Sequence, residues 1–231
     1  MNITLCFDRL DPAPWVKGLQ VALPQAQVSA WAPGAPQADH AIVWAPPQQF
    51  IDEQPGLQAM FNIGAGVDAL LQLNLPPSLK VVRLDDAGMS VQMAEYVCHA
   101  VIRHFREFDG YDADTRAGKW SYRKPRSRAD FSVGVMGLGV LGERVAKALQ
   151  VFDFPVNGYS RSPKQIEGVR SFSGASQFHD FLQSSRILVN LMPLTPETEN
   201  ILNKETLSRL LAGGYLINVA RGKHLVEEDL I

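Results

Sequence analysis

A glycine pattern in the middle of the chain constrains the fold more than any other feature. Gly137, Gly139 and Gly142 form a G-x-G-x-x-G motif between an apolar run, residues 131–136, and a stretch with helical spacing, residues 140–152. In a strand–turn–helix unit the glycines permit a tight turn, admit a pyrophosphate to the backbone, and let helix and strand approach closely. The motif therefore predicts a dinucleotide-binding unit; the alternative is that the glycines only mark a tight turn. The predicted cofactor contacts are Gly137, Leu138, Gly139, Val140, Leu141 and Gly142.

Short apolar runs alternate with polar or helical stretches along most of the chain. This alternation is typical of repeated βα units and predicts an α/β fold with two Rossmann-like domains, one flavodoxin-like and one doubly wound. The predicted strands are residues 3–7, 27–31, 41–44, 57–63, 80–84, 131–136, 156–159, 187–191 and 215–220. The predicted helices are residues 12–23, 90–108, 140–152 and 204–211.

The predicted domain boundary lies near residue 100, with residues 1–99 in a substrate-binding domain and residues 100–231 in the dinucleotide-binding domain. The longest predicted helix, residues 90–108, is expected to end at Asp109-Gly110. A polar stretch with several lysines and arginines continues through Ala129. We interpret it as a solvated linker between the domains that lends positive potential to a nearby phosphate site; the alternative is a basic arm for nucleic acid.

The residues after the second strand of the nucleotide unit indicate which dinucleotide is bound. An acidic residue there would accept hydrogen bonds from the adenosine ribose hydroxyls of NAD, but the sequence has Ser160, Arg161 and Ser162. Arginine offers a planar, permanently charged fork to a 2′-phosphate, and the serines add hydroxyl donors. The sequence therefore predicts NADPH in preference to NADH, unless Arg161 is simply a surface residue.

Two further strand ends carry residues suited to a small anion. Gly64-Ala65-Gly66-Val67 forms a second glycine turn, whose backbone N–H groups would suit a carboxylate. Arg221 ends the last apolar run, where ligands sit in open α/β sheets, and its fork could bind a 2-oxo acid and polarise the carbonyl. Trp44 also ends a strand and is expected to wall the substrate pocket. Each feature has an alternative explanation: the glycine turn binds no ligand, Arg221 forms a structural salt bridge, and Trp44 only packs.

Composition excludes several other classes of protein. The 22 Lys+Arg balance 24 Asp+Glu, so a dedicated nucleic-acid binder is not expected. Cys6 and Cys98 lack the spacing of a metal or disulfide framework, so we expect buried thiols and no metal. No apolar run of about 18 residues and no leader-like start are present, so a cytoplasmic protein with no membrane partner is expected.

Seven segments together resemble the D-isomer-specific 2-hydroxyacid dehydrogenases, most closely their glyoxylate/hydroxypyruvate reductase A subgroup. They are residues 42–47 (IVWAPP), 64–68 (GAGVD), 92–96 (QMAEY), 137–142 (GLGVLG), 159–162 (YSRS), 191–198 (LMPLTPET) and 218–222 (NVARG). This resemblance extends along essentially the whole chain.

The resemblance implies two domains facing each other across a cleft and an NADPH-dependent reduction of glyoxylate to glycolate and hydroxypyruvate to glycerate. It implies that the amides of Ala65, Gly66 and Val67 hold the substrate carboxylate, that Arg221 is catalytic, and that Trp44 lines the substrate site. It also implies that the cofactor is flanked by Leu191, Met192, Pro193, Val219 and Ala220. A homodimer is common in the family, and the helix predicted at residues 90–108 could serve it.

The family's general acid is a histidine supported by a glutamate, and the resemblance places both downstream of Ile231. The nucleotide domain is therefore expected to be incomplete at its C-terminal end, and the 231-residue chain to be inactive or weak. His224 lies close to Arg221 in sequence but falls in a turn before a helix start, at no catalytic position. An alternative function is a non-catalytic NADPH-binding fragment or interaction protein.

Overall fold

Residues 1–85 form a parallel five-stranded sheet with the strand order β2-β1-β3-β4-β5. The strands are β1 Asn2–Phe7, β2 Gln27–Ala30, β3 His40–Trp44, β4 Ala59–Asn62 and β5 Lys80–Arg83. The connecting helices are α1 Ala13–Ala22, α2 Gln48–Glu53 and a 3-10 turn at Leu70–Gln72. This order is the flavodoxin-like one, in agreement with the sequence prediction.

Apolar residues of the central strands hold this first unit together. Val43 and Met60 are fully buried on β3 and β4, and they pack with Phe50 of α2. A smaller cluster between β1 and α1 contains Leu5 and Val28. Helix α1 starts with a proline in its first turn and ends just before Pro24, as the sequence predicted.

The second unit, residues 86–231, contains a second parallel five-stranded sheet; the computed structural model describes residues 1–230 of the chain. Its strands are β6 Val133–Met136, β7 Val156–Ser160, β8 Val169–Ser173, β9 Ile187–Asn190 and β10 Tyr215–Asn218. Its helices are α3 Met89–Arg106, α4 Phe108–Arg116, α5 Val140–Gln150, α6 Phe178–Gln183 and α7 Lys204–Ser208. Short 3-10 turns lie at Arg128–Asp130, Ala175–Gln177, Gly222–His224 and Glu227–Leu230.

The strand order of the second sheet is β10-β9-β6-β7-β8, the doubly wound order of dinucleotide-binding domains. The chain leaves β6 towards β7 on one side, while β9 flanks β6 on the other. Loops after β6 and β9 therefore diverge at a topological switch point, where open α/β sheets bind ligands. The predicted fold class is confirmed for both units.

Helix α3 packs against the second sheet and belongs entirely to the second unit, although the predicted boundary at residues 99 and 100 falls inside it. Its buried side chains Val97, Val101 and Phe105 share one core with Val145 and Leu149 of α5. This apolar cluster fixes α5 on the sheet and with it the loop that precedes the helix.

Two sequence predictions around this helix were wrong. The helix ends at Arg106, because Glu107 adopts a left-handed conformation with φ 55°, and α4 follows at once and contains Asp109 and Gly110. The basic stretch is not a linker between domains, since it lies within the second unit. Arg123 pairs with Asp114 and Arg126 with Glu107, both at 2.8 Å, so acidic side chains balance part of its charge.

Besides α4, helices α2 and α6 and strand β8 were not predicted from the sequence. Strand β8 is short and largely polar, and Phe172 alone of its five residues is buried, which explains the missing apolar signal. In the described part of the chain, no helix is long and apolar enough to cross a membrane. Within the same residues, no three His, Cys, Asp or Glu side chains come together in a way that could hold a metal ion.

Candidate active site

The loop between β6 and α5 has the shape that a pyrophosphate needs. Gly137 has φ 97°, a conformation that other residues rarely adopt, and turns the chain directly after β6. Gly142 packs so closely on this turn that an added Cβ would lie 2.9 Å from the carbonyl carbon of Gly137 and closer still to its oxygen. A Cβ at Gly139, the residue capping α5, would meet nothing within 4 Å. The residues present thus fit a dinucleotide, because open space adjoins the backbone at the helix N-terminus.

The segment after β9 borders this loop. The backbone N–H of Leu191 donates to the carbonyl of Met136 at 2.9 Å, and a Cβ at Gly137 would touch the main chain of Leu191 at 3.0 Å. Asn190, fully buried at the end of β9, accepts a hydrogen bond from the N–H of Met192 at 3.2 Å. The structure therefore brings the predicted segment Leu191, Met192 and Pro193 beside the phosphate loop, at the switch point of the sheet.

The residues after β7 form a turn at the same edge of the sheet. Ser160 donates its hydroxyl to the carbonyl of Ser162 at 2.7 Å, and Arg161 between them is exposed. Lys164 reaches back to the phosphate loop, where its Nζ donates to the carbonyl of Leu138 at 2.6 Å. Four donor side chains, two of them positively charged, therefore lie next to the loop: Ser160, Arg161, Ser162 and Lys164.

Glu197 is an acidic neighbour that the sequence analysis did not single out. A hydrogen bond from the Thr195 hydroxyl and one from its own backbone N–H lower the pKa of this carboxyl, and the nearby charge of Arg161 adds to the effect. A carboxylate thus lies within electrostatic reach of the Arg161 guanidinium.

Two asparagines shape the end of β10. The side chain of Asn190 donates to Oδ1 of Asn218 at 3.1 Å, and the same oxygen accepts the N–H of Ala220 at 3.3 Å. Asn218 in turn donates to the carbonyl of Arg221 at 2.9 Å. These bonds fix the backbone at Val219, Ala220 and Arg221, whose side chain is half-buried and donates through Nη1 to the carbonyl of Ala220 at 3.1 Å.

His224 lies under the turn that follows Arg221. The imidazole is 0 % exposed. Its Nδ1 lies 3.2 Å from the backbone nitrogen of Arg221, and its Nε2 lies 3.3 Å from the carbonyl oxygen of Pro193. The sequence predicts that this histidine lies in a turn, and the 3-10 turn Gly222–His224 confirms that placement.

The first unit contains the glycine turn predicted to bind an anion. Asn62, buried at the end of β4, donates to the carbonyls of Gly64 and Gly66 at 2.8 and 2.9 Å. Trp44 packs on this turn, because a Cβ at Gly64 would lie 3.0 Å from Cη2 of the indole. Within the described chain, the half-buried N–H groups of the turn donate to no protein acceptor; they belong to Ala65, Gly66 and Val67. Free N–H groups at such a turn suit a small anion.

Comparison with known proteins gives consistent matches. A family model described as "D-isomer specific 2-hydroxyacid dehydrogenase, NAD binding domain" matches residues 98–231. A glyoxylate/hydroxypyruvate reductase A from Serratia proteamaculans is 45% identical over 238 residues, which cover 100% of this chain and 76% of the relative.

Solved structures agree with this match. A D-isomer specific 2-hydroxyacid dehydrogenase from Xanthobacter autotrophicus Py2, in complex with NADPH and MES, superposes with a TM-score of 0.90 at 38% identity, over 99% of this chain and 75% of that one. An NADPH-dependent glyoxylate/hydroxypyruvate reductase from Sinorhizobium meliloti, in complex with NADP and sulfate, superposes with a TM-score of 0.89 at 31% identity. The match covers 99% of this chain and 75% of that one.

Proposed function

The chain belongs to the D-isomer specific 2-hydroxyacid dehydrogenase family, and from this premise we propose that it serves the NADPH-dependent reduction of small 2-oxo acids. Glyoxylate and hydroxypyruvate are the proposed substrates, and glycolate and glycerate the products. The observation that carries the proposal is Arg161, which follows β7 beside the phosphate loop where an NAD-specific domain has a carboxylate. The relative from S. proteamaculans bears the name of this activity.

The second unit supplies the cofactor contacts in this proposal. The amides of residues 137–142 hold the pyrophosphate at the start of α5, and Ser160, Arg161 and Ser162 hold the 2′-phosphate. Leu191, Met192, Pro193, Val219 and Ala220 flank the nicotinamide half. NADPH, when bound, supplies a hydride to the carbonyl carbon of the substrate.

The substrate contacts in this proposal are a backbone turn and a guanidinium. The free amides of Ala65, Gly66 and Val67 bind the carboxylate, and Trp44 lines the site. Arg221 binds the substrate and stabilises the negative charge that develops on the carbonyl oxygen. The half-buried position of Arg221 after β10 supports this role, because a partly desolvated charge acts more strongly than an exposed one.

The proton of this reaction comes from a histidine that the family resemblance assigns downstream of Ile231. General acid catalysis contributes about 10²- to 10⁴-fold. We therefore propose that the 231-residue polypeptide on its own binds NADPH but reduces 2-oxo acids about 10²- to 10⁴-fold more slowly than the S. proteamaculans relative.

The test is a side-by-side assay of NADPH consumption at its near-ultraviolet absorbance, with glyoxylate or hydroxypyruvate as substrate and acetate as control. We expect tighter binding of NADPH than of NADH, slow turnover of both 2-oxo acids, and none with acetate. An Arg221→Ala variant should lose that turnover and keep its NADPH affinity. Absence of NADPH binding would overturn the proposal, and turnover equal to that of the relative would overturn the assignment of the proton donor.

We also propose a homodimer, as is common in the family. Helix α3 supports it, since two of its large side chains, Val91 and Tyr96, are exposed. Light scattering of the purified protein should give twice the chain mass, and Tyr96→Glu should shift the mass towards the monomer. A monomeric mass for the parent protein would contradict this proposal.

A further inference from the structure

The turn after Arg221 is attached to its surroundings in two different ways. Its main chain is held by the neighbouring segment, because the carbonyls of Lys223 and His224 accept the N–H groups of Asn200 and Leu202 at 2.9 and 2.8 Å. Its only fully buried polar side chain among the described residues is His224, which points back at Arg221 and Pro193. The main chain of the turn therefore has support besides the imidazole, whereas the contacts to the Arg221 nitrogen and the Pro193 carbonyl come from the imidazole.

The hydrogen bonds are mutually consistent for one form of the ring. If Nδ1 carries no proton, it accepts the N–H of Arg221, and the N–H at Nε2 donates to the carbonyl of Pro193. In the other neutral form, Nδ1 would donate to the carbonyl of Arg221 at 3.1 Å. Nε2 would then carry no proton, so that two acceptors, Nε2 and the oxygen of Pro193, would face each other. The N–H of Arg221 would also lose its acceptor. Leaving buried polar groups unpaired is costly, so the first form is the stable one.

We propose that His224 is a positioning residue for Arg221, which it couples to the segment beside the phosphate loop. The imidazole fixes the backbone of Arg221 at one nitrogen and the carbonyl of Pro193 at the other. This inference rests on the proposed function, since it gives Arg221 the task of binding the 2-oxo acid. It adds a residue that acts through Arg221 and has no contact with the substrate.

Pro193 is itself held on its other side. The hydroxyl of Thr198 donates to the same carbonyl at 2.7 Å, so this oxygen accepts two hydrogen bonds from different segments. Because Leu191 is bonded to β6 next to the phosphate loop, the path from Arg221 through His224 and Pro193 ends at the cofactor contacts. A loss at His224 should therefore weaken binding of the 2-oxo acid more than binding of the nucleotide, since the phosphate loop has its own support in α5.

The experiment compares His224→Leu, which removes both ring nitrogens, with His224→Asn, whose side-chain carbonyl can still accept the N–H of Arg221. His179→Leu, an exposed histidine on α6, is the matched control. The probe is oxalate, a non-reducible anion with the carboxylate and adjacent C–O group of a 2-oxo acid, titrated calorimetrically at saturating NADPH. We expect about a tenfold higher Kd for oxalate in His224→Leu, a smaller rise in His224→Asn, and no change in the control.

Affinity for NADPH should change less than threefold in all three variants. An unchanged oxalate Kd in folded His224→Leu would overturn the proposal, as would equal losses in His224→Asn and His224→Leu. If His224→Leu does not fold, His224→Asn and His224→Gln carry the test, since each restores one of the two hydrogen bonds. Arg221→Ala is measured in parallel. If Arg221→Ala leaves the Kd for oxalate unchanged, the substrate-binding role that the proposed function gives Arg221 is wrong. If Arg221→Ala raises this Kd and the His224 variants do not, only the role of His224 is wrong.

Discussion

Substitution by alanine should affect different properties at two glycines of the phosphate loop. At Gly142 an alanine Cβ would lie 2.9 Å from the carbonyl carbon of Gly137, and this neighbour is backbone that belongs to the turn after β6. At Gly139 the Cβ would meet no atom within 4 Å, and the backbone there, with φ −72° and ψ −167°, is one that alanine adopts easily. We therefore expect Gly142→Ala to affect folding and Gly139→Ala to affect nucleotide binding.

The magnitudes follow from the geometry. Overpacking against rigid surroundings costs about 1–3 kcal/mol, so Gly142→Ala should lower the free energy of unfolding of the second unit by at least that amount. Gly139→Ala gains about 0.4–1 kcal/mol from a less flexible unfolded chain and loses a similar amount at the helix cap, so its stability should stay within about 1 kcal/mol. A methyl group in the path of a pyrophosphate costs about 1–3 kcal/mol, which raises the Kd of NADPH about 5- to 150-fold.

Urea unfolding and an NADPH fluorescence titration measure these two quantities on the same samples. Gly18→Ala serves as the control, because this glycine of α1 also has nothing within 4 Å and lies in the first unit. The reasoning would be refuted if Gly139→Ala bound NADPH as tightly as the parent protein, or if Gly142→Ala unfolded at the parent's urea concentration.

Three other substitutions test separate parts of the structure. Arg161→Asp should raise the Kd of NADPH about tenfold or more and leave that of NADH nearly unchanged; equal losses for both would remove the 2′-phosphate contact. Burial, and after it the charges of Arg126 and Arg186, lower the pKa of His104 in the folded protein. As the pH falls, the unfolded chain therefore takes up the proton first. The stability that is present above about pH 6.5 is then lost as the pH approaches the pKa of the folded state. His104→Phe, which keeps a ring stacked on Tyr215, should flatten the fall in Tm between pH 7 and 5, and an unaltered slope would contradict this origin. Leu149→Ala should cost about 2–5 kcal/mol in urea unfolding, since the side chain is fully buried under α5, and a loss below 1 kcal/mol would show that the core relaxes around it.

Glycine motifs and long runs of apolar residues at helical spacing made most of the fold predictable. The β6–loop–α5 unit was foreseen because its three glycines stand between an apolar run and a stretch with helical spacing. Helix α3 was foreseen because its apolar residues recur at helical spacing over about five turns. The end of α3 was misplaced, because Asp109-Gly110 is a common turn pair and here lies inside α4. The real break, a left-handed Glu107, carries no such signal.

The candidate site was predictable only where one short segment carries the chemistry. The phosphate loop, Arg161 and Arg221 each stand at a strand end in the sequence. The link from His224 to Pro193 joins residues far apart in the chain, and its partner atoms are backbone groups that any residue would offer. No local pattern encodes such a pair, and the pairing of Asn190 with Asn218 was missed for the same reason.

The central position of β6 also sets an order of events during synthesis. Its neighbour β7 follows within about twenty residues, but β9, which covers its other side, begins about fifty residues later at Ile187. At about 5–20 residues per second, the ribosome leaves one flank of this valine-rich strand open for several seconds, far longer than collapse of the chain takes. The edge of β6 at the switch point is thus open to wrong pairing while the nascent chain grows.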